Sequence, residues 1–120
     1  MPAISFSGET SRGTFYDLIL KEEKTQTCRK PRKRPIQKGD TLILYWKQRI
    51  PADKKPIHKI AEAHCTSVTR MQYGDFCFDE GFARMDGFKD SLEMQEWFGE
   101  PLECWRDEYD VIEFKLKVTG

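Results

Sequence analysis

Residues 24–29, Lys24-Thr25-Gln26-Thr27-Cys28-Arg29, set an amine, hydroxyls, a thiol and a guanidinium within one short stretch. A lysine desolvated beside other cations, here Lys21 and Arg29, gives up its proton and becomes a base or nucleophile. Left charged, Lys24 binds phosphate, or it ends a preceding helix as a favourable cation at the C-terminal dipole. Thr27 offers a hydroxyl that orients a water or an amide carbonyl, or it is an ordinary strand threonine. Arg29 is a planar fork suited to phosphate or carboxylate. On an alternating strand Cys28 points away from Thr27 and Arg29, so it reads as a packed thiol.

The surroundings of this stretch are basic. Over residues 21–38 eight Lys or Arg face Glu22 and Glu23, a local excess of +6. Arg32, Lys33 and Arg34 sit between Pro31 and Pro35, as a patch for a phosphate backbone or as a solvated charge run. Over residues 79–110 eleven acids face Arg84, Lys89 and Arg106, an excess of −8, so the net charge of zero hides two opposed blocks. The blocks either attract each other as solvated faces or divide the work, the acidic one keeping non-specific binding weak. Tyr45, Trp46, Tyr73, Phe76 and Phe78 supply material for base stacking. Tyr73 and Phe76, in an irregular segment, are expected to line a pocket. His64 and Cys65 are adjacent and face opposite sides of a strand, which makes a zinc site with His58 and Cys77 a poor expectation. The sequence shows no glycine-rich phosphate loop and no Ser-His-Asp arrangement; no metal and no cofactor are expected.

The elements that must position these groups follow from periodicity. Residues 3–7 predict a strand, and Phe15, Leu18 and Ile19 at i, i+3 and i+4 predict a helix over 14–23. The alternating residues 25–29 predict a strand or extended loop. Lys38-Gly39-Asp40 signals a turn into a buried strand over 41–46, then a proline-bearing loop over 47–56. Residues 57–69 predict a long strand with room for a bulge. Helices are expected over 79–85 and over 91–98, the second with Ser91 as N-cap and Gly99 and Pro101 as its stop. Residues 109–118 alternate cleanly and predict the strongest strand. A curled sheet with inserted helices describes an α+β domain, and closing it as a barrel brings the last strand back near the first.

The order Lys24-Thr25-x-Thr27-x-Arg29, then Lys38-Gly39-Asp40 opening an apolar strand, then the terminal strand Tyr109-Asp110-Val111-Ile112-Glu113-Phe114 is similar to the ASCH domain. The resemblance covers nearly the whole chain. It implies a small PUA-like β-barrel of about five to six strands with two to three helices, and RNA binding. A bacterial branch that the chain also resembles removes the acetyl group from N4-acetylcytidine, using a lysine, a threonine three residues later and a downstream glutamate. The resemblance carries the first two roles to Lys24 and Thr27. The best-placed acid is Asp86, in Arg84-Met85-Asp86-Gly87-Phe88, one methylene shorter than glutamate; Glu80 is the other nearby acid. Independently of the resemblance, Arg29 either holds phosphate or pairs with Asp86 or Glu80.

With 120 residues, 15 of them aromatic, the chain can bury one core, and residues 1–120 are read as one domain. No stretch approaches the roughly 20 apolar residues that span a bilayer. The N-terminal residues lack a signal-peptide pattern, and four scattered cysteines suit a reducing compartment, so a cytoplasmic location and no membrane partner are expected. The leading expectation is recognition of RNA or a modified nucleobase through Lys21, Lys24, Arg29, Arg32, Lys33, Arg34, Tyr73 and Phe76. The alternatives are an amidohydrolase acting through Lys24, Thr27 and Asp86 (or Glu80), and a protein-interaction adaptor using the acidic segment 90–103.

Overall fold

In the computed structural model, which describes residues 2–46 and 58–117, the β-rich segments build one curled, mixed sheet, a half-barrel. Strands β5 (Thr41–Trp46), β6 (His58–Gln72) and β7 (Glu108–Leu116) form its antiparallel centre. Strand β1 (Ala3–Phe6) pairs with β5 in parallel, and β4 (Gln26–Arg29) pairs antiparallel with β7, giving the order β1-β5-β6-β7-β4. A separate hairpin joins β2 (Glu9–Thr10) to β3 (Gly13–Thr14). Five helices complete the described residues: α1 (Phe15–Leu20), α2 (Tyr73–Phe76), α3 (Glu80–Met85), α4 (Ser91–Phe98) and α5 (Pro101–Cys104). None of these helices is long and apolar enough to cross a membrane.

The α+β expectation matches this architecture, and the bulge expected in the long strand lies between Cys65 and Ser67. The predicted loop over 47–56 lies outside the described residues. Other details differ. The single turns α2 and α5 carry too few residues for any period to show. Asp90, not Ser91, caps α4, its carboxylate accepting from the Glu93 N–H at 2.9 Å. The last strand does not return beside the first: β7 is paired on both sides, with β6 and β4. Tyr109 through Ile112 are all buried, which suits a central strand rather than an edge.

The edges are therefore β1 and β4, and side chains bridge them. The Arg29 Nη2 donates to the Ser5 carbonyl at 2.7 Å, and the Arg32 Nη2 to the Ala3 carbonyl at 2.6 Å. These guanidinium groups occupy acceptors that a closing strand would otherwise use. The barrel stays open at this seam.

Two helix ends face the interior by the same device. Helix α1 stops at Leu20 rather than at 23, because Glu22 turns left-handed at φ 58°. The Glu22 N–H bonds to Ile19 O at 3.0 Å and the Glu23 N–H to Leu18 O at 2.9 Å, the paired bonds of a Schellman motif. Helix α3 ends alike: the Gly87 N–H bonds to Arg84 O at 3.1 Å and the Phe88 N–H to Ala83 O at 2.9 Å, with Gly87 at φ 103°. Glycine fits this position and glutamate strains it. A Cβ at Gly87 would also lie 3.2 Å from Phe15 Cε1. We expect Glu22→Gly to raise unfolding free energy by about 0.5–1 kcal/mol and Gly87→Ala to lower it by about 1–2 kcal/mol. Urea titrations test this; shifts of the same sign would refute the shared geometry.

Candidate functional site

Lys24 follows the α1 turn immediately, and Asp86 is the C-cap of α3. The two exits are tied together, since the Lys24 N–H donates to Leu18 O at 3.1 Å and the Thr25 N–H to Met85 O at 2.9 Å. This directs the Lys24 side chain inward along Gly87, where an added Cβ would sit 3.4 Å from Lys24 Cδ. Its Nζ donates to the Asp86 carbonyl oxygen at 2.5 Å and lies 3.7 Å from Asp86 Oδ1. The first contact is a hydrogen bond to a helix C-terminus, and the second is an ion pair at longer range. Both side chains are only 3% exposed. Nζ also stands 4.7 Å from the centre of the Phe15 ring.

Burial moves the two acidities toward each other. It pushes the Lys24 amine below its ordinary 10.5, against the attraction of Asp86. It pushes the Asp86 carboxyl above its ordinary 3.8, against the attraction of Lys24. Each shift favours the neutral form of its own group, the free amine on Lys24 and the protonated carboxyl on Asp86, and the charge of the partner opposes it.

Strand β4 presents the remaining groups. On one face the Arg29 Nε donates to Thr27 Oγ1 at 3.1 Å, and the guanidinium lies over the Phe6 ring at 4.8 Å. Between Thr27 and Arg29, and lining the same cleft, the Cys28 thiol donates to Asp86 Oδ1 at 3.7 Å. Burial, followed by the Asp86 charge, lifts the Cys28 acidity constant well above the usual thiol value, so it is held as SH. The neighbouring Gln26 amide works against the rise at Asp86. Its Nε2 falls short of a hydrogen bond, being buried without a partner among the described residues.

These groups line a cleft of about 500 Å³ at the open seam. Lys24, Thr27, Arg29 and Asp86 form its polar side, with Cys28 beside them. Ser5 and Ser7 stand on the β1 rim, and Phe15, Phe88, Trp97 and Phe98 make the aromatic side. The volume suits one nucleoside-sized molecule rather than a strand of several bases.

Not every expected residue comes here. Glu80 is exposed and is held by Ser91, accepting from its Oγ at 2.6 Å and its N–H at 3.0 Å, so the acid at Lys24 is Asp86. Tyr73 and Phe76, expected to line the pocket, are 0% and 1% exposed and belong to the core. Phe76 stacks on Phe82 at 4.4 Å, and the Tyr73 hydroxyl donates to the Gly99 carbonyl at 2.7 Å. The short helix α2 turns both rings inward, where neither can stack on a base. Lys21, Lys33 and Arg34 are exposed and do not line the cleft; Arg32 reaches the seam only through Ala3. His64 is exposed and Cys65 buried, on opposite faces of β6. Trp97, Phe88 and the Ser5–Ser7 rim carry no sequence signal that would have singled them out.

Removing one partner of a buried pair strands the other charge. We expect Lys24→Met to cost about 3 kcal/mol at neutral pH, and Lys24→Met with Asp86→Leu to recover most of it. The pH dependence follows from the directions above. Asp86 contributes stability that is full below 3.8 and is lost as pH rises through its elevated value. Lys24 contributes stability that is full above 10.5 and is lost as pH falls through its lowered value. Relative to the double variant, the wild type should thus be weakest between those limits. A flat difference across urea titrations from pH 4 to pH 10 would show that the pair is not coupled by burial.

Comparison of the chain with family models, with curated proteins and with solved structures finds no match to any of them, so the chemistry of the cleft carries the functional reading.

Proposed function

We propose that this chain is an ASCH-type, PUA-like half-barrel whose cleft takes a single acylated nucleobase and hydrolyses its amide. The observation that carries the reading is the Lys24–Asp86 pair, buried yet lining a cleft of nucleoside size. A purely structural role does not account for a pair that an apolar substitute would match in stability.

In the proposed reaction the deprotonated Lys24 amine takes a proton from water as the water oxygen bonds to the acyl carbon. The carbonyl π pair moves onto oxygen, where the Thr27 O–H and the neighbouring Arg29 guanidinium receive the developing charge. As the carbonyl re-forms, the C–N bond breaks, and the Lys24 ammonium returns its proton to the departing amine. The products are the free base and a carboxylic acid, with lysine restored. Asp86 stabilises the ammonium form of Lys24 during the intermediate, and its shorter side chain suffices because Nζ is already brought to its main-chain carbonyl.

A second reading, recognition of RNA without chemistry, is favoured by one observation: Arg32, Lys33 and Arg34 stand exposed in the loop after β4, with Arg32 anchored to β1. They would hold phosphates while the cleft accepts one extruded base.

Chromatography of N4-acetylcytidine incubated with the protein separates the two. Hydrolysis predicts release of cytidine, at least ~100-fold slower in Lys24→Met and in Thr27→Val. If no cytidine forms at high protein concentration, while a short RNA binds with an affinity that falls steeply with salt, recognition is the function. Loss of both results would dispose of the nucleobase reading.

A further inference from the structure

The polar side of the cleft explains how an amide could be cleaved but not why the ligand should be a flat heterocycle. The aromatic side supplies the reason. Phe6, Phe15 and Phe88 are buried among core residues and offer little surface. Trp97 differs: it lines the same cleft and keeps 49% of its surface exposed. It comes from the last turn of α4, where Met94 already supplies the buried contact.

The indole is held in place despite its exposure. Its ring meets Phe15 at 5.2 Å and 78°, and Phe88 at 6.0 Å and 54°, both inclined rather than parallel contacts. Its benzo edge lies against Gly8, where a Cβ would come within 2.7 Å of Trp97 Cη2. Gly8 is at φ 95°, so the turn after β1 uses glycine for its conformation and for this close approach. Two rings and a glycine thus fix the ring at its rim, with half of it left to solvent. An ordered, half-exposed indole facing a cleft is a preformed surface for another π system.

We infer that Trp97 is the stacking wall of the cleft and selects planar, conjugated amides, such as N-acylated nucleobases, over aliphatic ones. This rests on the hydrolytic or base-binding reading of the cleft and names the residue that sets its substrate class. Stacking takes the base ring, the amide substituent reaches Lys24 and Thr27, and the ribose is left toward the serine rim. Trp97 is a specificity residue, not a catalytic one.

Nucleoside titration followed by tryptophan fluorescence tests it, with N4-acetylcytidine and cytidine as probes. In the wild type the nucleoside quenches the emission. In Trp97→Phe the quench disappears although Trp46 and Trp105 remain, and affinity falls a few-fold because a smaller ring still stacks. In Trp97→Ala the dissociation constant, or KM where turnover occurs, rises ~10-fold or more while kcat changes little. The Phe variant keeps the ring contacts to Phe15 and Phe88 and guards against misfolding, which thermal unfolding checks. Unchanged binding in Trp97→Ala, with binding or turnover lost in Lys24→Met, would overturn the stacking role and leave the cleft's function standing. Absence of binding by either nucleoside to the wild type would remove both.

Discussion

Lys24 and Asp86 meet across 62 residues of chain, each almost sealed from water, and the surrounding structure is arranged to make that meeting tolerable. At an effective dielectric near 20, opposite charges about 4 Å apart attract by ~4 kcal/mol. Each ion gives up several kcal/mol of hydration on burial, so attraction alone does not repay the loss. The balance is closed by the Asp86 carbonyl at the end of α3, by the Phe15 ring beneath the ammonium, and by the Cys28 thiol on the carboxylate. Both Schellman turns follow from the same demand. Each turns a helix exit inward, so that a residue that would otherwise reach solvent projects into the domain.

The second constraint is the unclosed sheet. Five strands curl without backbone pairing between β1 and β4, and the arginines that bridge this gap come from β4 and the loop after it. An arginine satisfies an edge carbonyl while leaving space that a strand would fill. The cleft is that space. Arg29 works on both sides of the arrangement: its Nη2 holds β1, its Nε orients the Thr27 hydroxyl, and its plane covers Phe6. Backbone closure, hydroxyl orientation and local positive charge are thus tied to one side chain, and Lys would not reproduce that fork.

Some of this was legible in the sequence. Strands β5, β6 and β7 show as β-rich or alternating runs, and α4 is bounded by Gly99 and Pro101. The segment 24–29 stands out because its functional groups are crowded together. Its partner did not stand out, because no local rule relates Asp86 to Lys24; the contact depends on where two helices end. The aromatic assignments failed for a different reason. Irregularity around Tyr73 and Phe76 suggested a pocket, but a single helical turn packs both rings inward. On α4, Leu92 is 67% exposed although Met94 is buried, and Trp97 stands at the cleft. In a helix of eight residues two turns do not define a face, and the neighbours decide which side is covered.

The two charge blocks bear on which ligands reach the cleft in the proposed reading. They touch where Lys24 meets Asp86 and where Lys30 meets Asp107 at 3.5 Å, but Arg32, Lys33 and Arg34 remain exposed on one side, and Glu96, Glu100 and Glu103 on the other. The described residues extend 41 × 29 × 29 Å. At physiological salt the screening length is about 8 Å, so each block acts on what passes close to it and hardly on the far side. A polynucleotide drawn to the basic loop and laid onward over α4 and α5 would gain contacts at one end and meet repulsion at the other. A nucleoside, or a strand that ends at the cleft, meets only the first. The cleft itself adds little to this, since the opposite charges of Lys24 and Asp86 cancel. Charge layout and cleft volume thus favour the same kind of ligand: one base, presented alone or at the end of a strand.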